Sequence, residues 1–373
     1  MTKSHAQLIG FDATPLQIAR HSGVGNYTAQ LLTALINRAD ERRYALLANR
    51  TLNGETPPGT LGQAGHGFPN RSAWMQMMLP RDLAALRPDV CHFTNSLAPL
   101  RAPCPVVITL HDMSLFAHAR LHPLKSQLFV RPIIPVVAHR AAAIITVSQH
   151  AKREIVAGLH VAPDKVHVIY EAAAPQYHAI TDAAELERVR QRYNLQKPFV
   201  LYVGTIEPRK NLTRLVAAFA RARRLQPNLE LILAGQLGWK YASLLRAIKD
   251  LNLGRAVRRL GYVPDEDLPA LYSLARMLAF PSLYEGFGLP VVEAMACGTP
   301  VLTSNGSSLA EIAAGASCLV DPLDIGDIAQ GLVSLATDDG LHARLRTAGL
   351  LRSAQFSWQQ AAAETVHVYD TVA

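Results

Sequence analysis

Short apolar runs alternate with stretches of helical period along the whole chain. In the first half "HAQLIGFD", "ALLANR", "DVCHFT", "PVVITLHD" and "AAAIITVS" read as strands, being short runs rich in β-branched, aliphatic and aromatic residues. After the first comes "GNYTAQLLTALINRA", whose apolar residues recur every three or four positions, as on one face of a helix. Ser148 stands where it would cap a helix after the fifth run. Thr51–Ser72 is rich in Gly, Pro and Asn and reads as a loop too long for mere connection. The pattern then restarts. "FVLYVG" and "LELILAG" are nearly all apolar, as expected of strands covered on both faces. "AVRRLGYV", "MLAFPS", "PVLTS" and "ASCLVD" continue the series, with amphipathic stretches such as "NLTRLVAAFARARRL" between them. The alternation predicts an α/β protein of two doubly wound, Rossmann-like parallel sheets hinged near residues 171–197. "SWQQAAAETVHVYDTVA" reads as a last helix long enough to pack back on the first half. The expected division is residues 1–175, 176–355 and that final segment, 356–373.

Length and composition agree with this reading. A chain of 373 residues suits two domains of ordinary size, and 49% hydrophobic against 18% charged residues supplies a core for each. No apolar run reaches the roughly 18 residues that span a bilayer. Asp12 interrupts the N-terminal stretch before a signal core can form, so a cytoplasmic location is expected. Cys91, Cys104, Cys297 and Cys318 show no C-x-x-C spacing and read as reduced, mostly buried thiols rather than zinc ligands or a disulfide frame.

Charge changes the picture. Residues 1–180 hold 17 Lys and Arg against 10 Asp and Glu, and 12 of the 14 histidines, so nearly all of the net +8 lies there. A basic half suits an anionic partner (nucleic acid, a phosphorylated substrate, an acidic membrane surface) or solubility alone. Against nucleic acid, the arginines are scattered among Ala and Leu without interleaved aromatics or a binding motif. "RSAWMQMMLPRDLAALR" and "HARLHPLKSQLFVRPIIPVVAHR" mix cations with large apolar residues. Each could lie at an anionic interface, or pack its apolar stripe on its own sheet.

Unusual residues collect after strands of the second half. "TIEPRKN" sets Arg209 and Lys210 before a helix, where two cations beside free N–H groups suit a phosphate. In "EGFGLPVVEA", Gly286 and Gly288 let backbone approach a ligand, and Pro290 starts a helix whose first amides face the same place. Glu293, one turn in, could accept from a ribose diol; Glu285, on the loop, could hold sugar hydroxyls or support charge at a reacting carbon. In the first half, "SGVGNYTAQLL" is a glycine loop opening a helix, without the third glycine of a nicotinamide fingerprint. "ITLHDMS" places His111 and Asp112 at a strand end.

Glu285 and Glu293 enclose seven residues, and "PSLYEGFGLPVVEAMACGTPVLTS" resembles the donor-site signature of family 4 glycosyltransferases. "YVGTIEPRKNL" and "GSSLAEIAAGASCLVDP" resemble that family's other motifs, in the same order. The resemblance covers roughly residues 198–325 well and the first half more loosely. It implies a GT-B fold, two facing Rossmann-like domains with a cleft between them and a C-terminal crossover helix. It also implies metal-independent transfer without a cofactor and with retained anomeric configuration. Arg209 and Lys210 would neutralise the nucleotide diphosphate, and Glu285 would touch the donor sugar beside the Phe287–Leu289 backbone. Glu293 would hold the ribose, and Gly23 and Gly25 would approach the donor phosphates. His111 would lie near the reacting centre, positioning and polarising, with Asp112 orienting it or contacting the acceptor. Many relatives carry Arg directly after the strand glycine, where this chain has Thr205.

Within the family, "VGTIEPRKN" with "GQLGW" looks most like bacterial GDP-mannose-dependent mannosyltransferases of surface-polysaccharide assembly. The expected partners are a nucleotide sugar, a glycan or polyprenyl-diphosphate-linked acceptor and, peripherally, the anionic inner face of the membrane; nucleic acid is not among them. The alternatives are a UDP-sugar-dependent transferase, a nucleotide-sugar epimerase and, outside enzymes, a basic nucleic-acid-binding protein.

Overall fold

The computed structural model describes residues 6–17, 23–38, 40–52, 60–64, 68, 70–122, 124 and 126–373. They form two compact units, residues 1–171 with 357–373, and residues 172–356.

Unit 1 is built on seven strands: β1 (Leu8–Asp12), β2 (Arg43–Leu47), β3 (Thr60–Ala64), β4 (Val90–Phe93), β5 (Val106–Thr109), β6 (Ala143–Thr146) and β7 (Val166–Val168). They pair in the order β3-β2-β1-β4-β5-β6-β7, in parallel throughout. The order reverses between β1 and β4, where Ile9 lies between Tyr44 and Val90. All four residues of both β4 and β6 are buried, as a sheet covered on both faces requires. The helix Gly23–Ile36 buries Leu31, Leu32 and Leu35, each such side chain contributing about 1.5–3 kcal/mol.

The helix Trp358–Val372 belongs to this unit. Its Trp358 ring meets Tyr27 at 5.9 Å, and its Tyr369 hydroxyl lies 2.7 Å from the buried His92 Nδ1. Ser148 caps its helix by accepting from the Ala151 amide at 3.0 Å.

Two readings of this half change. The segment 51–72 is not all loop, because it contains β3, paired with β2 from Tyr44 opposite Thr60 to Leu47 opposite Ala64. "TLGQA" carries little apolar signal because an edge strand is fixed by backbone pairing on one side. The basic apolar stretches also part company. In Arg71–Leu86 the side chains of Trp74, Met75, Leu79 and Leu83 are buried in the core, so that stripe packs on its own sheet. In the other stretch Leu124, Leu128 and Phe129 are 71%, 63% and 68% exposed. Among the described residues no helix is long and apolar enough to cross a membrane.

Unit 2 has six parallel strands: β8 (Phe199–Val203), β9 (Glu230–Ala234), β10 (Val257–Gly261), β11 (Met277–Phe280), β12 (Val301–Ser304) and β13 (Cys318–Val320). Their order is β10-β9-β8-β11-β12-β13, reversing between β8 and β11, the point at which such sheets bind ligands beyond their carboxyl ends. The ends of β8 and β9 approach too closely for side chains. A Cβ on Gly235, at φ +148°, would meet the Gly204 carbonyl oxygen at 1.9 Å.

Candidate active site

At the reversal in unit 2, β8 runs out through Gly204 into a single 3-10 turn, Pro208–Lys210. Asn211 closes that turn in the left-handed region at φ 63°. Its side-chain amide donates to the carbonyls of Pro281 at 3.0 Å and Pro322 at 2.6 Å. The Leu283 amide donates to the Arg209 carbonyl at 2.9 Å. The turn after β8 is thereby stitched to the loop after β11, and three charged side chains meet.

Arg209 Nη1 donates to Glu285 Oε2 at 2.7 Å, and Lys210 Nζ to Glu285 Oε1 at 2.6 Å. Arg209 also donates to the Tyr284 carbonyl at 2.9 Å and pairs with Glu207 at 2.9 Å. The Lys210 ammonium sits 5.0 Å from the centre of the Phe280 ring. Burial would raise the Glu285 pKa, but the charges of Arg209 and Lys210 outweigh it and hold the carboxyl at about 2. Burial and the Arg209 charge together lower that of Lys210, against the pull of Glu285. Both cations are thus paired in the protein itself. Glu285, expected to be available to sugar hydroxyls, has both oxygens engaged, because leaving two buried cations uncompensated would cost several kcal/mol.

The loop bearing Glu285 is held from the Ser307–Ser308 turn. The Ser308 hydroxyl lies 2.8 Å from the Glu285 carbonyl and 3.1 Å from that of Phe287, and the Glu285 amide donates to Ser307 Oγ at 3.3 Å. Gly288 has φ 111°, and a Cβ there would meet Leu309 Cδ2 at 2.6 Å. The helix Leu289–Ala296 starts at this point, with Pro290 in its first turn. Gly286 and Leu289 belong to the same run, and Phe287 packs edge-on against Phe356 at 5.6 Å. Glu293 is buried and its Oε2 accepts from the Tyr272 hydroxyl at 2.8 Å. Thr205 is exposed, and its carbonyl accepts from Tyr202 at 3.0 Å.

The remaining residues singled out from sequence lie in unit 1. Gly23 and Gly25 are not in a loop; they form the first turn of the helix Gly23–Ile36, and Ser22 lies outside the described residues. The two glycines, placed where a helix still has unpaired amides, need no special backbone geometry. His111 follows β5, with Nε2 2.9 Å from the Thr94 carbonyl and Nδ1 3.2 Å from Glu171 Oε1. The Tyr27 ring stands edge-on to it at 4.7 Å. Burial lowers the His111 pKa, but the hydrogen bond and charge of Glu171, the Thr94 carbonyl and Asp112 together raise it above its ordinary value. Asp112 does not hydrogen-bond His111; its Oδ1 accepts from the Ser114 amide at 2.8 Å and hydroxyl at 2.6 Å. Glu171, 60 residues away in sequence, takes the orienting place expected of Asp112. The only trace of it in sequence is an acid following a strand in "VIYEAAAP".

Two family descriptions match the chain in tandem, Glycosyltransferase Family 4 over residues 21–176 and Glycosyl transferases group 1 over residues 184–352. The O-antigen chain mannosyltransferase B of Escherichia coli is 34% identical over 306 residues, which is 81% of this chain and 77% of that protein. The serotype-specific mannosyltransferase WbdA of Escherichia coli is 28% identical over 93% of this chain, which spans 45% of that longer protein. Among solved structures, sucrose-phosphate synthase from Thermosynechococcus elongatus superposes with a TM-score of 0.79 over 98% of both chains at 21% identity. With its two parallel sheets, this chain belongs to the group 1, family 4 glycosyltransferases and has their GT-B fold.

Proposed function

We propose that this glycosyltransferase moves a mannosyl group, with retention of configuration and without a metal ion, from GDP-mannose to a glycan on a polyprenyl diphosphate carrier in O-antigen or related polysaccharide assembly. The observation that carries the reading is the Arg209–Lys210–Glu285 cluster at the strand reversal of unit 2. The mannosyltransferases among the relatives direct the choice of sugar.

Chemically, the cluster is a held reserve of positive charge. A diphosphate arriving there offers Arg209 and Lys210 oxygens as good as those of Glu285, and the exchange frees a Glu285 oxygen for the sugar. Two cations then stabilise the leaving group as its charge develops, which is where fixed charges lower a barrier. The acceptor proton passes to the departing phosphate, so no side chain need serve as general base. In this reading Glu293, which accepts from Tyr272, takes the ribose diol, and the amides of Gly23 and Gly25 donate to donor phosphate oxygens. Unit 1, carrying most of the excess positive charge, takes the acceptor. Exposed Leu124, Leu128 and Phe129 with Arg120 and Arg131 suit peripheral contact with anionic lipid.

The test is melting of the protein with GDP, UDP and ADP, followed by transfer from the matching sugar nucleotide with and without EDTA. A ligand at 100 times its Kd stabilises by about 2.7 kcal/mol. The expected result is a shift with GDP, lost in Lys210→Ala, and mannosyl transfer with an α product unaffected by chelation. A shift with UDP alone would move the enzyme to UDP-sugars. No shift with any nucleotide, or strict Mn²⁺ dependence, would overturn the proposed site.

A further inference from the structure

We infer that His111 is a standing imidazolium, ion-paired with Glu171, and that it is a positioning residue for transfer rather than a carrier of protons. The argument starts from what its neighbours can do. The Thr94 carbonyl, 2.9 Å from Nε2, can only accept. The Glu171 carboxylate, 3.2 Å from Nδ1, also only accepts when ionised. Facing two acceptors, the ring satisfies both only by donating from both nitrogens, and an imidazole that does so is charged.

The one neutral alternative puts the proton on Glu171 and makes Nδ1 an acceptor. A carboxylic acid gives up its proton more readily than an imidazolium does, which favours the charged pair. The other titratable groups around the pair do not alter this. Asp112, next in sequence, adds negative charge that favours the cation. His92 is fully buried and pushed down to about 3, by burial and then by the charge of His111, so it stays neutral. Tyr27, edge-on to the ring, is buried with its phenol pushed up and stays protonated. The raised pKa of His111 agrees with the geometry.

Position gives the pair a function. Thr94 directly follows β4, His111 lies two residues past β5, and Glu171 three residues past β7. One ring therefore ties together three strand ends on the edge where doubly wound sheets bind ligands. With both ring nitrogens committed, His111 presents only its backbone and a compensated charge to a substrate. Its work is to hold that edge in shape, and the hold is released by deprotonation. Its pKa being raised, the contribution is complete at low pH and is lost as pH rises through the folded-state value. This role in transfer rests on the reading of unit 1 as the acceptor side; the charge state does not.

The experiment is a ring-nitrogen NMR titration of protein labelled at histidine, assigned with His111→Gln, alongside kcat/KM for mannosyl transfer from pH 5.5 to 9.5. The expected result is a His111 doubly protonated at neutral pH, with a midpoint above about 6.5 that falls in Glu171→Gln and is regained in Glu171→Asp. The alkaline fall in kcat/KM should shift with it, at unchanged nucleotide affinity. A neutral His111 at pH 7, or a midpoint indifferent to Glu171→Gln, overturns the ion pair. A confirmed ion pair with transfer flat across its midpoint overturns the positioning role and leaves the glycosyltransferase reading standing. Absence of transfer from GDP-mannose overturns the donor assignment, while the titration still decides the ion pair.

Discussion

Each unit places a buried carboxylate against cations beyond the carboxyl ends of its strands, and the two arrangements differ in what can switch them. In unit 2 Glu285 meets an arginine and a lysine, residue types whose ordinary titration lies far above that of histidine. In unit 1 Glu171 meets a histidine, whose charge is conditional. In the readings proposed above, one cluster meets charge that arrives with a ligand and the other responds to the solution. Similar geometry, read only as a pair of salt bridges, would hide that difference.

The most damaging change should be Glu285→Ala, which takes the carboxylate from Lys210 and leaves Arg209 with Glu207. Transfer should drop by about a thousandfold or more while circular dichroism stays native, and near-normal turnover would break the comparison at its stronger side. Lys210→Ala should come next, with transfer lower by about a hundredfold or more and the GDP-induced melting shift lost. A pH series then sharpens the contrast. Glu285, held at about 2, contributes stability that is present above the ordinary glutamate value and lost as pH falls towards 2, about 3 kcal/mol in all. The stability gap between the native protein and Glu285→Gln should therefore close on acidification. The gap to His111→Gln should close on alkalinisation, and parallel behaviour of the two variants would erase the distinction drawn here. The smallest effects should come from two phenol deletions. Tyr272→Phe and Tyr369→Phe each remove one buried hydrogen bond, at about 1 kcal/mol. Tyr272→Phe should also raise the donor KM a few-fold, while Tyr369→Phe should lower Tm alone.

Much of unit 2 could be read from its residues because its signals are local. Continuous apolar strands, glycines at strand ends and the E-x7-E spacing are each contained in a few consecutive positions. The pairing of Glu285 with Arg209 and Lys210 was not legible, since 76 and 75 residues separate the partners and only the sheet order brings β8 beside β11. The reading of unit 1 lost more for the same reason. His111 stood out at its strand end, but its partners come from the ends of β4 and β7, and Asp112, which the family resemblance offered to orient it or contact the acceptor, closes a local turn. β3 escaped notice because Gly and Pro dominate its surroundings and its own side chains carry little apolar signal. The glycines at 23 and 25 suggested a loop because glycine weakens any expectation of helix, although it costs little in a first turn.

The last helix has a consequence for how the protein is made. Residues 172–356 form an uninterrupted unit that can complete its sheet during synthesis, as domains generally do. Unit 1 is emitted first but closed last: Tyr27 and His92 receive Trp358 and Tyr369 only after every residue of unit 2 has been translated. Until then a nascent chain leaves the Tyr27 ring without Trp358 and the His92 ring without Tyr369, so the older half of the molecule is the later one to be completed.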